Sequence, residues 1–169
     1  MGLFHKKTST QPIQSQLVNF LKGIHFNHSI VEENETRTVI RVGVVLSIGN
    51  CDSFFVINHN LQLVEFMVHT PQLVPENKRR EVAKFLNLAD YHTFIGNLQM
   101  DHRDGTVRCK THFVYDDENL NQKIIESNFY AGYNMVERYF PGIMRITYGN
   151  KDAESAFKEV NEIINPLDN

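Results

Sequence analysis

A chain of 169 residues, 41% of them hydrophobic, is long enough to bury the core of one domain without disulfides or metals. The 17 lysines and arginines against 20 aspartates and glutamates leave a formal net charge of -3, without the basic excess of a dedicated nucleic-acid binder. Two cysteines are too few for a disulfide framework, which predicts a reducing cytoplasm, and no apolar run approaches the ~20 residues that span a bilayer.

The first predicted element follows a short N-terminal segment. Residues 1–9 are predicted to form a mobile arm rather than a secretory signal, because MGLFHKKTST contains no apolar core segment. A single domain is predicted over residues 10–169. It opens with QPIQSQLVNFLKGI, in which apolar residues recur at helical spacing behind a proline suited to the first turn of a helix.

Four strands are predicted next. Residues 28–33 and 37–48 form a hairpin, and the second of these strands alternates apolar with other residues, as a half-buried strand does. GNCD breaks the pattern, and SFFVI and LQLVEFMVH then form two strands around a turn at residues 58–60. The last of these strands is apolar on both faces, with Val64, Phe66 and Val68 on one side and Leu61, Leu63 and Met67 on the other.

A strand that is apolar on both faces must be covered on both faces. Glu65 and His69 share a side with Leu61, Leu63 and Met67. The second cover is either the chain's own helices or another subunit. We expect this side to be partly exposed in the single chain and to be covered by a protein partner. The predicted partner is a second copy of the chain, in a homodimer.

The remaining elements are helix, strand, strand, helix and helix. The first helix begins at about Pro75, and the next, long helix is expected to be capped by Asp116 or Asp117 and to be interrupted or kinked at Pro141. Asp152 is expected to cap the last helix. The predicted order is α-β-β-β-β-α-β-β-α-α, an α+β fold with an antiparallel sheet of five to six strands and helices packed on it.

The segment LQMDHRDGTVRC groups residue types that occur in metal and catalytic sites. Both of its flanks alternate with period two, so we interpret DHRDG as a hairpin turn with Gly105 at positive φ. Asp101 and Asp104 are expected to accept hydrogen bonds from nearby amides. An EF-hand loop needs acidic or amide residues at every second position and a distal glutamate, which this turn lacks. We predict no metal, cofactor or catalytic residue in the chain.

Neither cysteine is predicted to be a nucleophile. Cys109 and His112 are three residues apart in a strand and project to opposite faces, so Cys109 is expected to be a small core residue. Cys51 is expected in an exposed turn, with no base nearby in the sequence to activate it. A hydrolase built on Cys51 or on the scattered histidines is kept as a third hypothesis.

Four blocks between Leu73 and Val160 carry a resemblance to a known family. The hairpin FIGNLQMDHRDGTVRCKTHFVY has the pattern G-x-x-x-x-D-x-x-D-G-x-V-R, at Gly96, Asp101, Asp104, Gly105, Val107 and Arg108. LVPENKRREVAKFLNLADYH precedes it, and VERYFPGIMRITYGN and KDAESAFKEV follow. In these blocks and their order the chain resembles the YbjN family.

The resemblance implies a fold like that of the type III secretion chaperones. YbjN proteins are cytoplasmic bacterial proteins described as sensory-transduction regulators, with no established enzymatic activity and no catalytic residues to transfer. The fold implies binding of protein partners and frequent homodimers. We therefore predict a non-enzymatic, regulatory protein-binding domain. The alternative is a small-molecule or metal sensor with a pocket between the sheet and the helices.

Overall fold

The computed structural model describes residues 12–116 and 121–164 of the chain. The arm predicted over residues 1–9 and the predicted cap Asp117 lie outside these residues. The elements are α1 (Ile13–Gly23), β1 (His28–Glu33), β2 (Arg37–Leu46), β3 (Gly49–Asn58), β4 (Leu63–His69), α2 (Arg79–Tyr91), β5 (Asn97–Met100), β6 (Val107–Val114), α3 (Gln122–Gly149) and α4 (Ala153–Ile164). The predicted order and the α+β class are confirmed.

The six strands form one antiparallel sheet in the order β1-β2-β3-β4-β6-β5. The β5–β6 hairpin joins the sheet through β6, which pairs with β4 along the whole length of that strand. Strand β4 is therefore internal, with neighbours on both sides. One face of β4 carries buried Val64, Phe66 and Val68, and the other carries half-buried Leu63, Glu65, Met67 and His69.

Helix α3 packs on one face of the sheet through aromatic rings. The Phe129 ring centroid lies 6.0 Å from that of Phe55 on β3 and 5.0 Å from that of Phe66 on β4. Phe20 of α1 meets Phe129 edge-on at 5.2 Å. Gly132 allows this close approach, because a Cβ atom at that position would lie 3.0 Å from the Phe66 ring. The core therefore lies between the sheet and α3.

Helix α3 runs through Pro141 without interruption, so the predicted interruption is wrong, and the alternative of a kink at Pro141 stays a prediction. Proline removes one intrahelical hydrogen bond and crowds the preceding turn. The helix continues because the residues around the proline are buried on its packed side, namely Tyr139, Phe140, Gly142, Ile143 and Ile146. Burial of this apolar face stabilises the helix more than one missing hydrogen bond destabilises it.

The long helix also begins later than predicted. Asn121 is the N-cap residue, and its side-chain oxygen accepts a hydrogen bond of 2.9 Å from the backbone N–H of Lys123. The predicted cap Asp116 lies five residues before Asn121, outside the helix. Asparagine and aspartate cap a helix N-terminus about equally well, so the sequence alone does not distinguish Asn121 from Asp116.

The break predicted at GNCD is a continuous part of β3. Leu46 pairs with Gly49, which leaves a two-residue turn at residues 47–48, and Gly49 has a φ of 120°. Cys51 pairs with Val44 and is only 5% exposed. The prediction that Cys51 lies in an exposed turn is wrong, because the glycine starts the strand two residues before the cysteine.

Candidate functional site

The face of the sheet turned away from α3 is called here the open face. It carries alternate side chains of β2, β3, β4 and β6, which the strand register arranges in four rows across the sheet. Numbered from the β3–β4 turn, these rows are Arg37–Asn58–Leu63–Val114, Val39–Val56–Glu65–His112, Arg41–Phe54–Met67–Lys110 and Gly43–Asp52–His69–Arg108. The last row places Asp52 beside His69 because Ser53 pairs with Val68.

The three residues predicted to form an interface all lie at the open face or its border. Leu63 and Met67 are half-buried on β4. Leu61 lies in the turn before the strand, where its backbone N–H donates to the Asn58 side-chain oxygen at 3.0 Å, and its side chain is 65% exposed. Their coverage by a partner stays a prediction.

The first row adds a further exposed apolar side chain beside this set. Val114 of β6 pairs directly with Leu63 and is 71% exposed. A shallow depression in the same corner is lined by Val56, Leu61 and Leu63, with polar residues around them. Sequence reasoning missed Val114, because only the pairing of β6 with β4 brings it next to Leu63.

Ion pairs neutralise much of the charge on this side of the sheet. Lys110 Nζ lies 2.9 Å from a Glu65 carboxylate oxygen, and an Arg41 guanidinium nitrogen lies 2.5 Å from an Asp52 oxygen. Such partly exposed pairs contribute about 1 kcal/mol or less to stability. Their main consequence is that these four charges present little net field to an approaching molecule.

Arg108 in the fourth row differs from the other basic residues of the open face. Its guanidinium donates to Gln99 Oε1 at 3.2 Å and contacts Met67 Sδ at 3.3 Å. Within the described residues, no carboxylate oxygen lies within ion-pair distance of Arg108. No carboxylate of the described residues therefore offsets the positive charge of this half-buried side chain.

His69 stands directly beside Arg108, because the two residues pair across β4 and β6. The imidazole is half-buried, and its ring centroid is 5.8 Å from that of Phe54. Burial lowers the pKa of His69 below its ordinary value, and the positive charge of Arg108 lowers it further. Arg108 is thus an electropositive point on an otherwise balanced face, and the lowered pKa means that His69 adds little positive charge to it.

At the opposite end of the fourth row, Gly43 leaves an open space. A Cβ atom at Gly43 would have no neighbour closer than the backbone oxygen of Asn27 at 3.9 Å. The depression there is lined by Arg41, Gly43, Val45 and Asp52, among others. A long side chain from another molecule fits above a residue that has no side chain of its own.

The hairpin turn between β5 and β6 holds Asp101, Asp104 and Gly105. Asp101 Oδ1 accepts from the backbone N–H of Arg103 at 2.9 Å, and Asp104 Oδ1 accepts from that of Thr106 at 2.8 Å. Hydrogen bonds from Arg103 lower the pKa of Asp101 to about 2. The two carboxylates are engaged within the turn. In the part of the chain that is described, no group of three or more side chains suits a metal ion.

Arg79 attaches this turn to the start of α2. Its guanidinium donates to the backbone oxygen of Val74 at 3.1 Å and to that of His102 at 2.9 Å. Sequence reasoning missed this role, because backbone carbonyls carry no residue-type signal and His102 is distant in the chain. The hairpin is therefore a structural element held by an arginine, and its acidic residues shape the turn.

Both cysteine thiols are buried. Burial raises the pKa of the Cys51 thiol to about 11 and that of the Cys109 thiol to about 12. Since the thiolate is the nucleophile, these groups are almost wholly protonated, and unreactive, at neutral pH. Neither thiol has the low pKa that nucleophilic catalysis requires.

The layer between the sheet and α3 is filled by side chains where the alternative hypothesis requires a ligand pocket. Phe55, Phe66, Phe129 and Tyr133 contact one another there, with the Tyr133 hydroxyl 2.7 Å from Ser53 Oγ. A depression between α1 and α3 is lined by Phe20, Ile125 and polar residues, and it lies at the protein surface. The sensor hypothesis stays a prediction without a site in this layer.

Comparison with protein-family models and with curated proteins finds no match for this chain. Among solved structures, a chain of the crystal structure of the ExsC-ExsE complex is similar, with a TM-score of 0.43 and 14% sequence identity. The similarity covers 77% of this chain and 92% of that chain. The class that the structure defines is an α+β domain with an antiparallel sheet. The YbjN resemblance is not matched by a family model and stays a prediction.

None of the helices in the described ranges is long and apolar enough to cross a membrane.

Proposed function

We propose that this chain is a cytoplasmic, non-enzymatic protein-binding domain that acts as a homodimer, with the regulatory role that the YbjN resemblance implies. The open face of the sheet is the binding surface, and a second copy of the chain is its occupant. One observation carries this proposal: the central strands β3 and β4 place the half-buried apolar side chains of Phe54, Leu63 and Met67 on that face.

Apolar side chains on a solvated sheet face are the exception in antiparallel sheets, whose outer faces are usually polar. Complete burial of a leucine, methionine or phenylalanine side chain contributes about 1.5–3 kcal/mol relative to exposure. Phe54, Leu63 and Met67 are half-buried in the single chain, so part of this free energy remains for association. Exposed Val114 and Leu61 extend the same surface at its first-row end.

The charge and the size of the open face support a second copy as the occupant. The pairs Lys110–Glu65 and Arg41–Asp52 leave little net charge, so two identical faces do not repel each other strongly. Six strands about 4.8 Å apart and roughly seven residues long span about 600 Å². This is of the order of the ~800 Å² of surface that each partner contributes to a standard interface.

A non-enzymatic role is supported by the state of the reactive groups. The Cys51 and Cys109 thiols are buried and protonated, and the Asp101 and Asp104 carboxylates accept hydrogen bonds inside their turn. Each of these groups has a structural role in the fold. The surface features that remain available, apolar side chains next to paired charges, are those that bind proteins.

The proposal is tested by the mass of the protein in solution. Wild-type protein is expected to have twice the mass of the 19.6 kDa chain by light scattering, and the Leu63→Asp/Met67→Asp double variant is expected to be a monomer. The control is Leu73→Asp, which places one such charge on a leucine that is 58% exposed outside the sheet. Circular dichroism reports whether each variant is folded.

A monomeric wild-type protein at 100 µM would contradict the homodimer. A Leu73→Asp variant that dissociates as readily as the double variant would place the interface elsewhere. Because Leu63 and Met67 are only half-buried, the two aspartates are expected to leave the folded monomer intact.

A further inference from the structure

The strand register of the open face also determines how two copies fit together, an inference that rests on the proposed homodimer. We infer that the two open faces pack around a two-fold axis parallel to the strands, between β3 and β4. In this arrangement Asp52 of each copy pairs with His69 of the other.

The geometry follows from general rules of sheet packing. Two sheets pack face to face about 10 Å apart, with strand directions within about 30° of each other. A two-fold interface uses the same patch on both copies. With the axis parallel to the strands, each residue keeps its row and faces the strand on the other side of the axis. Strand β3 therefore faces β4 of the second copy, and β2 faces β6.

The fourth row is the most complementary under this operation. Asp52 of one copy faces His69 of the second copy, and Gly43 faces Arg108 of the second copy. The space above Gly43 accommodates the Arg108 side chain, whose guanidinium then reaches the Asp52 carboxylate that lines the same depression. The one cation of the face without a carboxylate partner in the described residues thereby gains one.

The third row adds an apolar contact at the centre. Phe54 faces Met67 of the second copy, and a thioether beside an aromatic ring is a favourable pair. Arg41 faces Lys110 of the second copy, a like-charge approach. Each of these two cations already holds its own carboxylate, Asp52 or Glu65, which reduces the repulsion.

A two-fold axis perpendicular to the strands gives a poorer fit. Each strand would then face itself in reverse, so the first row would lie on the fourth. Arg108 would face Val114, and His69 would face Leu63, which desolvates charged groups against apolar side chains. The parallel axis also places Arg37 against Val114 in the first row, but of the two axes it alone brings Asp52 opposite His69, and we favour it for that pairing.

The Asp52–His69 pair makes the association dependent on pH. In the single chain, Arg108 and Asp52 flank His69, and the neighbouring turn contributes Asp101, His102, Arg103 and Asp104. In the dimer, Asp52 and Arg41 of the second copy face it as well. Burial lowers the pKa of His69 in the free chain, and the interface adds burial. We infer that the facing Asp52 carboxylate raises this pKa by more than the added burial lowers it, so that dimerisation binds protons. The dimer is therefore tighter at low pH and weakens as the pH rises.

The test exchanges the two facing residues. Asp52→His places histidine against histidine, and His69→Asp places aspartate against aspartate, so each single variant is expected to raise the dimer Kd at least ~10-fold at pH 6. The double exchange restores an Asp–His pair across the axis and is expected to return the Kd to within ~3-fold of wild type. The control is Glu32→Gln on the outer strand β1, farther from the axis. This substitution removes the ion pair between Glu32 and Arg37 and is expected to change the dimer Kd little.

A second measurement follows the wild-type Kd by analytical ultracentrifugation from pH 5.5 to pH 8. The wild-type Kd is expected to rise by about fivefold or more, while the Kd of His69→Gln stays nearly constant. The register is refuted if the double exchange fails to recover, or if both single variants dimerise like wild type. In either case the homodimer stands if the wild-type protein is a dimer and the L63D/M67D variant is a monomer. A monomeric wild-type protein refutes both inferences.

Discussion

Replacing Gly105 by alanine adds one methylene group, and this addition is expected to destabilise the β5–β6 hairpin more than the same addition elsewhere. Its φ is 84°, in the region that side-chain-bearing residues rarely adopt. A Cβ atom there would lie 2.0 Å from the backbone oxygen of Val74, well inside van der Waals contact. The same two residues are joined by a 2.9 Å hydrogen bond from the Val74 N–H to the Gly105 oxygen.

The magnitude of the Gly105→Ala effect has two parts. The left-handed conformation costs about 1–2 kcal/mol for an alanine. Displacing the Val74 backbone by more than 1 Å is an overpacking change, which costs about 1–3 kcal/mol. The sum is a loss of about 3 kcal/mol in the free energy of unfolding, and thus a fall of roughly 10 °C in the melting temperature of a domain of this size.

Urea unfolding followed by circular dichroism measures this difference. Gly149→Ala is the matched control, because a Cβ atom at Gly149 meets no atom within 4 Å and its φ is not positive. Its expected effect is a small stabilisation of at most about 1 kcal/mol, since alanine restricts the unfolded chain. If Gly105→Ala unfolds within 0.5 kcal/mol of wild type, the close contact with Val74 does not exist as described.

Two further predictions concern the buried layer beneath the sheet. Tyr133→Phe removes the 2.7 Å hydrogen bond to Ser53 and is expected to lower the free energy of unfolding by about 1 kcal/mol. Tyr148→Phe, at a 69% exposed site, is its control and should leave the urea midpoint unchanged. Cys51 and Cys109 are expected to resist an aromatic disulfide reagent at pH 8 and to react fully in urea, because burial keeps their pKa values near 11 and 12. Rapid labelling of the folded protein would contradict their burial.

Local patterns were sufficient to predict the class and order of the elements. Period-two alternation identified β2, β5 and β6, and apolar runs between turn residues identified β3 and β4. The turn at Asp101–Gly105 follows from the alternation on both of its flanks. These features depend on residues that are close together in the chain, so they can be predicted from the sequence.

Other features were not predicted from the sequence, or the prediction was wrong. Pro141 remains in a helix because the surrounding turns are buried, and Cys51 is buried because β3 begins at Gly49. Arg79 donates to backbone carbonyl oxygens, and no pattern of residue types predicts such a contact. At Pro141 the packing free energy of the whole domain outweighs the local preference.

The sequence by itself determined an α+β domain, its strands and helices, and a strand with apolar residues on both sides. Only the tertiary structure decided that β6 lies next to β4, which brings Arg108 beside His69 and Val114 beside Leu63. It also decided which face lies away from the helices. The physical reason is that strand order and register arise from long-range pairing, whereas the period-two pattern is the same for every pairing that buries one face.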